Sequence, residues 1–345
     1  MRLALLALPL ILSACATVPP GPPWLPVTSN TASELRGLSV VSDQVAWASG
    51  ARGTVLRTVD GVTWQAINVP GADKLDFRDI HAIDANSAIV MSAGPGDASR
   101  IYRSDDGGAS WRLMITNPVK EGFWDAIAFW DKDHGLLFGD PVGGRFQTYA
   151  TSDGGVTWTP LPSAGLEALP SEGAFAASGS CLSVAGVNDA WIVTGGAASA
   201  RVFHSSDRGA SWRAADLPIA AGAPARGAFS VAFADSKNGM AAGGDYKEKT
   251  MAGINGARSS DGGATWTAAQ ILPVGYMSVV TPVKGSGSYV AAGLAGSGFS
   301  RDGGRTWTAL DATPLNTVAF ASPTAGWAIG PKGLLMKYAG PRLSN

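Results

Sequence analysis

The chain has 345 residues and a formal net charge of −1, with 46% hydrophobic and 15% charged residues, and it contains 45 Gly, 21 Pro and 12 Trp. Gly and Pro together make 66 residues, 19% of the chain, below the share of about 25–30% that marks low-complexity disorder, and an interior Gly costs a helix about 1 kcal/mol relative to Ala. Disorder, a helical protein and the basic footprint of a nucleic-acid binder are all excluded.

At the start of the chain, Arg2 precedes an apolar run, Leu3–Leu12, too short for a stable bilayer span and matched to a secretory signal. The run ends in Leu12-Ser13-Ala14-Cys15, which resembles the lipobox of bacterial lipoproteins. That resemblance implies cleavage after residue 14, acylation of Cys15 and, with Ala16 following, an outer-membrane lipoprotein facing the periplasm. Residues 15–23, rich in Pro, would form a lipidated tether, residues 24–340 the folded domain and residues 341–345 a tail. With Cys15 lipidated only Cys181 remains, so no intrachain disulfide is available and Cys181 is expected as a small buried residue.

Beyond Trp24-Leu25-Pro26-Val27, the chain repeats a pair of strands seven times: Leu38–Ser49, Ile80–Ala93, Ala126–Gly139, Leu182–Gly195, Phe229–Gly243, Met277–Gly293 and Val318–Gly330. After each of the first six pairs comes a third strand closed by a short signature. It reads TVDGVTW ending at Trp64, SDDGGASW at Trp111, TSDGGVTW at Trp158, SSDRGASW at Trp212, SSDGGATW at Trp266 and SRDGGRTW at Trp307. Its aspartates are Asp60, Asp106, Asp153, Asp207, Asp261 and Asp302. Each carboxylate is placed to accept N–H groups of a tight hairpin, Gly to take positive φ and Trp to plug between strands. The Trp spacings of 47, 47, 54, 54 and 41 residues suit four-stranded blades. The seventh pair is followed by a third strand, Leu334–Tyr338, without signature or fourth strand. The N-terminal strand at Trp24 is therefore expected to complete the last blade, giving an all-β, seven-bladed β-propeller in one closed domain.

The signature resembles the Asp box, or bacterial neuraminidase repeat. Together with FRDIHA at Phe77–Ala82, GDPVGGRF at Gly139–Phe146, EGAFAASGS at Glu172–Ser180 and GGDY at Gly243–Tyr246, the whole domain resembles the photosystem II stability and assembly factor family and its bacterial relatives labelled oxidoreductase. The resemblance implies a protein-binding scaffold. It does not by itself imply glycosidase chemistry, because Asp boxes occur in proteins of unrelated activity.

Loops between second and third strands share one face with the blade-to-blade linkers, and unlike charges collect on that rim. Arg36, Arg78, Trp124, Arg145, Arg201 and Arg226 form the candidate ligand-binding set, with Arg36, Arg78 and Arg226 leading, because converging guanidinium groups bind carboxylate or phosphate. Asp140, Glu172, Asp245 and Tyr246 are the candidates for the alternative, a sialidase-like glycoside hydrolase. The Phe77-Arg78-Asp79-Ile80 stretch departs from the sialidase Arg-Ile-Pro signature at its last two positions. A quinone-type oxidoreductase is a further alternative, but no dinucleotide fingerprint or P-loop supports it. His81, His134 and His204 fall on separate elements, so no metal site is expected, and no cofactor is predicted. The expected partner is a protein or an envelope polymer, with membrane contact through the lipid only, no nucleic acid and a monomeric state.

Overall fold

In the computed structural model, which describes residues 22–344, seven four-stranded antiparallel sheets form the seven blades. The signal, Cys15 and most of the tether lie outside the described residues. The innermost strands are Leu35–Val40, Phe77–Ala82, Trp124–Phe129, Leu182–Ala185, Arg226–Phe233, Val279–Pro282 and Thr317–Ser322, in blades one to seven. Trp24–Pro26 pairs with Leu335–Tyr338, Trp24 opposite Tyr338 and Pro26 opposite Met336, and closes blade seven as the sequence requires. The end of the chain is also fastened, since Leu343 is buried and its N–H donates to Pro323 O at 2.8 Å. The segment expected as a tail thus packs on the last blade. The stretch Gly139–Phe146 is mostly strand: Gly135–Val142 pairs with Arg145–Thr151 around a two-glycine tip, Gly143 and Gly144.

Apolar clusters fill the spaces between blades. The second strands are buried almost throughout, and their Trp47, Trp191 and Trp327 have no exposed surface. A strand buried on both faces must be apolar and small where neighbours crowd, which explains sequences such as AWASG and GWAIG.

The signature hairpins fasten one blade to the next. In TSDGGVTW, Thr151 Oγ1 donates to Asp153 Oδ1 and accepts the Gly155 N–H, while Asp153 accepts the Thr157 N–H on Oδ1 and its hydroxyl on Oδ2. Gly155 has φ +80, and a Cβ there would lie 2.9 Å from Ile89 Cδ1 of the preceding blade. Gly is thus required both by backbone conformation and by the close approach. The Trp158 indole returns to Gly155 O at 3.1 Å, and Trp212, Trp266 and Trp307 repeat that bond within their own turns. Trp64 of the shortened first hairpin and Trp111 of the full-length second one lack that bond, and both indole nitrogens are buried without a partner.

Candidate functional site

Blade four departs from the others at its inner edge. Its innermost strand starts only at Leu182, and the preceding residues 174–180 turn into the ring axis. The Ala174 N–H donates to Asp140 Oδ1 of blade three at 2.8 Å. Arg78 of blade two donates to Ala176 O and Arg36 of blade one to Ala177 O, each at 3.3 Å. Ser178 Oγ donates to Ser278 O of blade six, and Ser180 Oγ to Ser230 Oγ of blade five. A segment bonded to five other blades has to cross the axis. It forms a plug, with one cavity of about 310 Å³ lined by Ser178, Gly179, Ser180 and Asp79, and a larger one of about 620 Å³ on the rim side.

The larger cavity is a funnel whose floor is the plug. Arg36, Arg78, Asp125, Asp140, Tyr246 and Tyr276 line it together with Glu34, Lys249 and an apolar wall. In that wall Phe175 stacks on Phe229 at 3.9 Å, and the Tyr246 and Tyr276 rings meet Phe229 edge-on at 6.1 and 4.8 Å. Each arginine is held by a carboxylate beside it: Arg78 Nε donates to Asp76 Oδ2 at 2.8 Å, and Arg36 lies 3.5 Å from Glu34. Neither is free, yet both keep unused donors, since the Arg36 Nε is buried without a partner.

Asp125, on the blade-three innermost strand, has no exposed surface, and the backbone N–H groups of Asp140 and Ala176 lie against its carboxyl without closing well-formed hydrogen bonds. Burial, and secondarily the charge of Asp140, holds its carboxyl well above the usual carboxylate range, with Arg78 opposing. Burial likewise raises Asp140 despite the Ala174 N–H. In blade two Asp79, buried but accepting the Ile80 and Ile127 N–H groups at 2.7 Å, is pushed up to about 8. Cys181 is wholly buried, and burial followed by the charges of Asp125, Asp79 and Asp140 pushes its thiol up, so it is an inert core residue.

The structure separates the remaining sequence candidates from this funnel. Trp124, expected on the ligand face, has no exposed surface and packs edge-on to Tyr149 in the blade-three core. That expectation is corrected, because the residue opens a buried strand and its ring turns between blades. Arg226, expected to converge with Arg36 and Arg78, is instead paired with Asp245 at 2.9 Å and lies outside the funnel lining. Asp245 itself caps its own turn by accepting the Lys247 and Glu248 N–H groups. Arg201 forms an ion pair with the buried Glu172, which also accepts the Thr194 hydroxyl and the Leu169 N–H. Arg145 pairs with Glu167 on the outer rim. Glu172 and Asp140 line a smaller adjoining cavity of about 380 Å³. Among the described residues no three His, Cys, Asp or Glu side chains gather to hold a metal.

Glu34, Asp125, Phe175 and Phe229 are not singled out in the sequence, whereas Tyr276, expected as a binding-face or packing aromatic, lines the funnel. The signal for Asp125 was nonetheless present in Trp124-Asp125-Ala126-Ile127-Ala128-Phe129, where a lone acid interrupts a strand that is otherwise apolar.

Comparison with known proteins locates the chain further. Residues 14–240 match the DUF6242 beta propeller domain. The fold is similar to two solved structures. YCF48 bound to D1 peptide has a TM-score of 0.67 at 17% identity, covering 92% of this chain and 97% of that one. YCF48 from Cyanidioschyzon merolae has 0.64 at 18% identity, covering 91% and 98%. A search of the curated proteins found no match.

Proposed function

The chain belongs to the DUF6242 beta propeller domain family, and from that premise we propose that it is a non-catalytic binding and assembly scaffold. It would be held by lipid on Cys15 at the periplasmic side of the outer membrane, displaying its plugged funnel to a protein or envelope-polymer partner. The observation that carries this reading is the funnel itself: a cavity of about 620 Å³ lined by cationic and acidic groups and by five aromatic rings, those of Phe123, Phe175, Phe229, Tyr246 and Tyr276. Such a site orients a ligand through a few polar groups and holds it by apolar area. Two of the three acids considered for glycoside hydrolysis are engaged elsewhere, Glu172 by Arg201 and Thr194, Asp245 by Arg226 and its own turn, which leaves Asp140 alone in the funnel without a second carboxylate of that set beside it. A general acid needs a proton and access to a leaving group, and a side chain locked in an ion pair offers neither. YCF48, of the same fold, has been solved with a D1 peptide bound, which favours a polypeptide as the partner here.

The test is affinity capture from crosslinked membranes with three proteins: wild type, the double variant Arg36→Ala/Arg78→Ala, and Arg226→Ala. Loss of the partner from the double variant alone is expected. Identical partner sets in all three would remove the funnel from the function. The anchor is tested separately by labelling with a radioactive fatty acid, which Cys15→Ala should abolish while shifting the protein out of the membrane fraction.

A further inference from the structure

The chain enters the fold on the face opposite the funnel. Leu335–Tyr338 runs away from the Pro331–Gly333 turn, whose Pro331 lines the funnel, so Tyr338 lies toward the opposite face. Trp24 pairs with Tyr338, and Pro23 O accepts the Ala339 N–H at 2.9 Å. A lipid on Cys15 would hold this face toward the bilayer, because the nine residues 15–23 reach at most about 30 Å even when fully extended.

The signature hairpins share that face, and the one in blade six differs from the other five. Directly before its Asp it has Arg301, where the others have Val, Asp or Ser, and before its Thr it has Arg305, where they have Val or Ala. Both are exposed, as are Lys284 in the neighbouring turn of blade six and Arg342 beyond blade seven. Arg301 Nη2 reaches Arg342 O at 3.5 Å, and the Leu343 N–H fastens that segment to Pro323 O in the blade-seven turn. These cations therefore lie beside the point where the chain enters. Among the described residues none of the four forms an ion pair. The nearby acids are turned inward: Asp302 accepts the Thr306 N–H and hydroxyl of its own hairpin, and Asp235 of blade five caps its own turn. Across the ring, the same face of blade three is acidic instead, with Asp131, Asp133 and Asp153 against Lys132. On the other flank, Lys337 Nζ donates to Gly61 O at 2.6 Å and ties in the blade-one hairpin, whose Val59 and Val62 are 49% and 68% exposed.

We infer that this patch is a membrane-contact surface for anionic phospholipid. Lys284, Arg301, Arg305 and Arg342 lie on lipid phosphates, Val59 and Val62 enter the headgroup layer, and the ring stands with blades six and seven down and the funnel turned away from the bilayer. The inference rests on the reading of Cys15 as the anchor and adds the orientation in which the anchored ring is held. A cation at an anionic surface strengthens binding about fivefold, but only within a Debye length of about 8 Å. The tether brings this face into that range, and the acidic side at blade three is repelled from it. An acidic protein on the same charges would have to displace a bilayer already held within the tether's reach.

The experiment uses the protein as purified from membranes, incorporated into vesicles of phosphatidylcholine alone or of phosphatidylcholine and phosphatidylglycerol in a three-to-one ratio. A nitroxide-headgroup lipid in both serves as a contact-range quencher of bimane, attached through Thr324→Cys in the blade-seven turn or Thr250→Cys on the funnel face. Cys181 is buried and does not take the label. Quenching at position 324 should be at least about twofold greater with phosphatidylglycerol than without and should fall to the phosphatidylcholine level at high salt, while position 250 stays unquenched in both. Arg301→Ser/Arg305→Ala, which installs residues found at the same places in other hairpins, should remove the difference. Lys74→Ala/Lys120→Ala, lacking two exposed cations of the funnel face, should keep it. Equal quenching at position 324 in the two vesicles, or a phosphatidylglycerol effect that survives Arg301→Ser/Arg305→Ala, would overturn the inference. So would loss of a captured protein, with vesicle contact unchanged, in that variant. If no fatty acid is found on Cys15 and the arginine variant still loses the phosphatidylglycerol effect, the anchor falls and the surface stands. If the fatty acid is present and phosphatidylglycerol has no effect, the surface alone falls.

Discussion

Two populations of aspartate with opposite titration behaviour set the pH response of this protein. In the signature hairpins, hydrogen bonds hold the carboxylate in its charged form. The Val62 N–H leads at Asp60, the Ser110 hydroxyl at Asp106 and the Thr265 hydroxyl at Asp261, and each pKa is lowered to about 2. A folded pKa below the unfolded one gives stability that is complete above about pH 4 and lost as pH falls through 2. Asp79 is the reverse case: its folded pKa of about 8 lies above the unfolded value, so its contribution is complete below about pH 4 and declines as pH rises toward 8. Asp125 acts in the same direction as Asp79. The urea midpoint should therefore peak on the acid side of neutrality, near pH 4–5, and fall on both sides. Asp125→Asn, which cannot ionise, should raise the midpoint relative to wild type at pH 8 and bring no gain at pH 4. An equal effect at both values would show that the Asp125 carboxyl is already ionised when folded. Asp153→Ala removes the acceptor for two N–H groups and two hydroxyls in one turn, and the loss of such a cap costs about 1–2 kcal/mol. Denaturant unfolding checks it, and Asp153→Asn, which keeps an acceptor oxygen, should cost less.

Among the elements, the plug is the one that makes this ring more than a repetition. Gly179 takes φ +70, and a Cβ added there would lie 2.2 Å from Asp79 Oδ1 and 2.3 Å from its Cγ. Asp79 cannot withdraw without releasing the Ile80 and Ile127 N–H groups. Gly179→Ala should thus combine backbone strain with overpacking and cost about 2–4 kcal/mol. Because both effects meet at one carboxyl group, the Gly179→Ala/Asp79→Ala double variant should cost at least about 1 kcal/mol less than the sum of the singles. Strict additivity would mean that the plug and the Asp79 strand do not bear on one another. The blades were legible in the sequence because each repeats its own instructions: small-residue second strands, then an Asp, a Gly pair and a Trp at fixed offsets. The plug was not, because it occurs once and EGAFAASGS carries no periodicity to set against a template. Half of the funnel was visible for a related reason. Arg36 and Arg78 hold equivalent places in successive blades and could be aligned, whereas Phe175 enters with the plug, and Trp124 and Arg226 shared the alignment without sharing the direction of their side chains.

At the scale of the whole molecule, the ring is closed by the only blade assembled from both ends of the chain. Three residues bring this about: Trp24, Leu25 and Pro26, facing Tyr338, Lys337 and Met336. Backbone pairing over three residues contributes little alone, so the closure must draw on side-chain burial. Trp24 supplies it. Its ring is 2% exposed, lies 5.3 Å from Tyr338 and 5.9 Å from Phe320, and its indole N–H donates to Ser297 Oγ of blade six at 3.1 Å. One residue thereby fastens the N-terminal strand to blade seven and blade seven to blade six. Trp24→Ala should cost about 3–5 kcal/mol, which for a domain of this size lowers Tm by roughly 5–15 °C, whereas Leu25→Ala, at 45% exposure, should change stability by less than about 0.5 kcal/mol. Hydrogen exchange distinguishes a local opening from a global one. Loss of the Trp24 anchor leaves Leu335–Tyr338 as an unpaired edge, so its amides and those of Ala325–Ile329 should exchange faster in Trp24→Ala while blade three, across the ring, keeps wild-type protection. If blade seven keeps its protection as well, closure does not depend on the N-terminal strand; if all blades lose it together, the ring opens as one cooperative unit and the seam is its weakest joint.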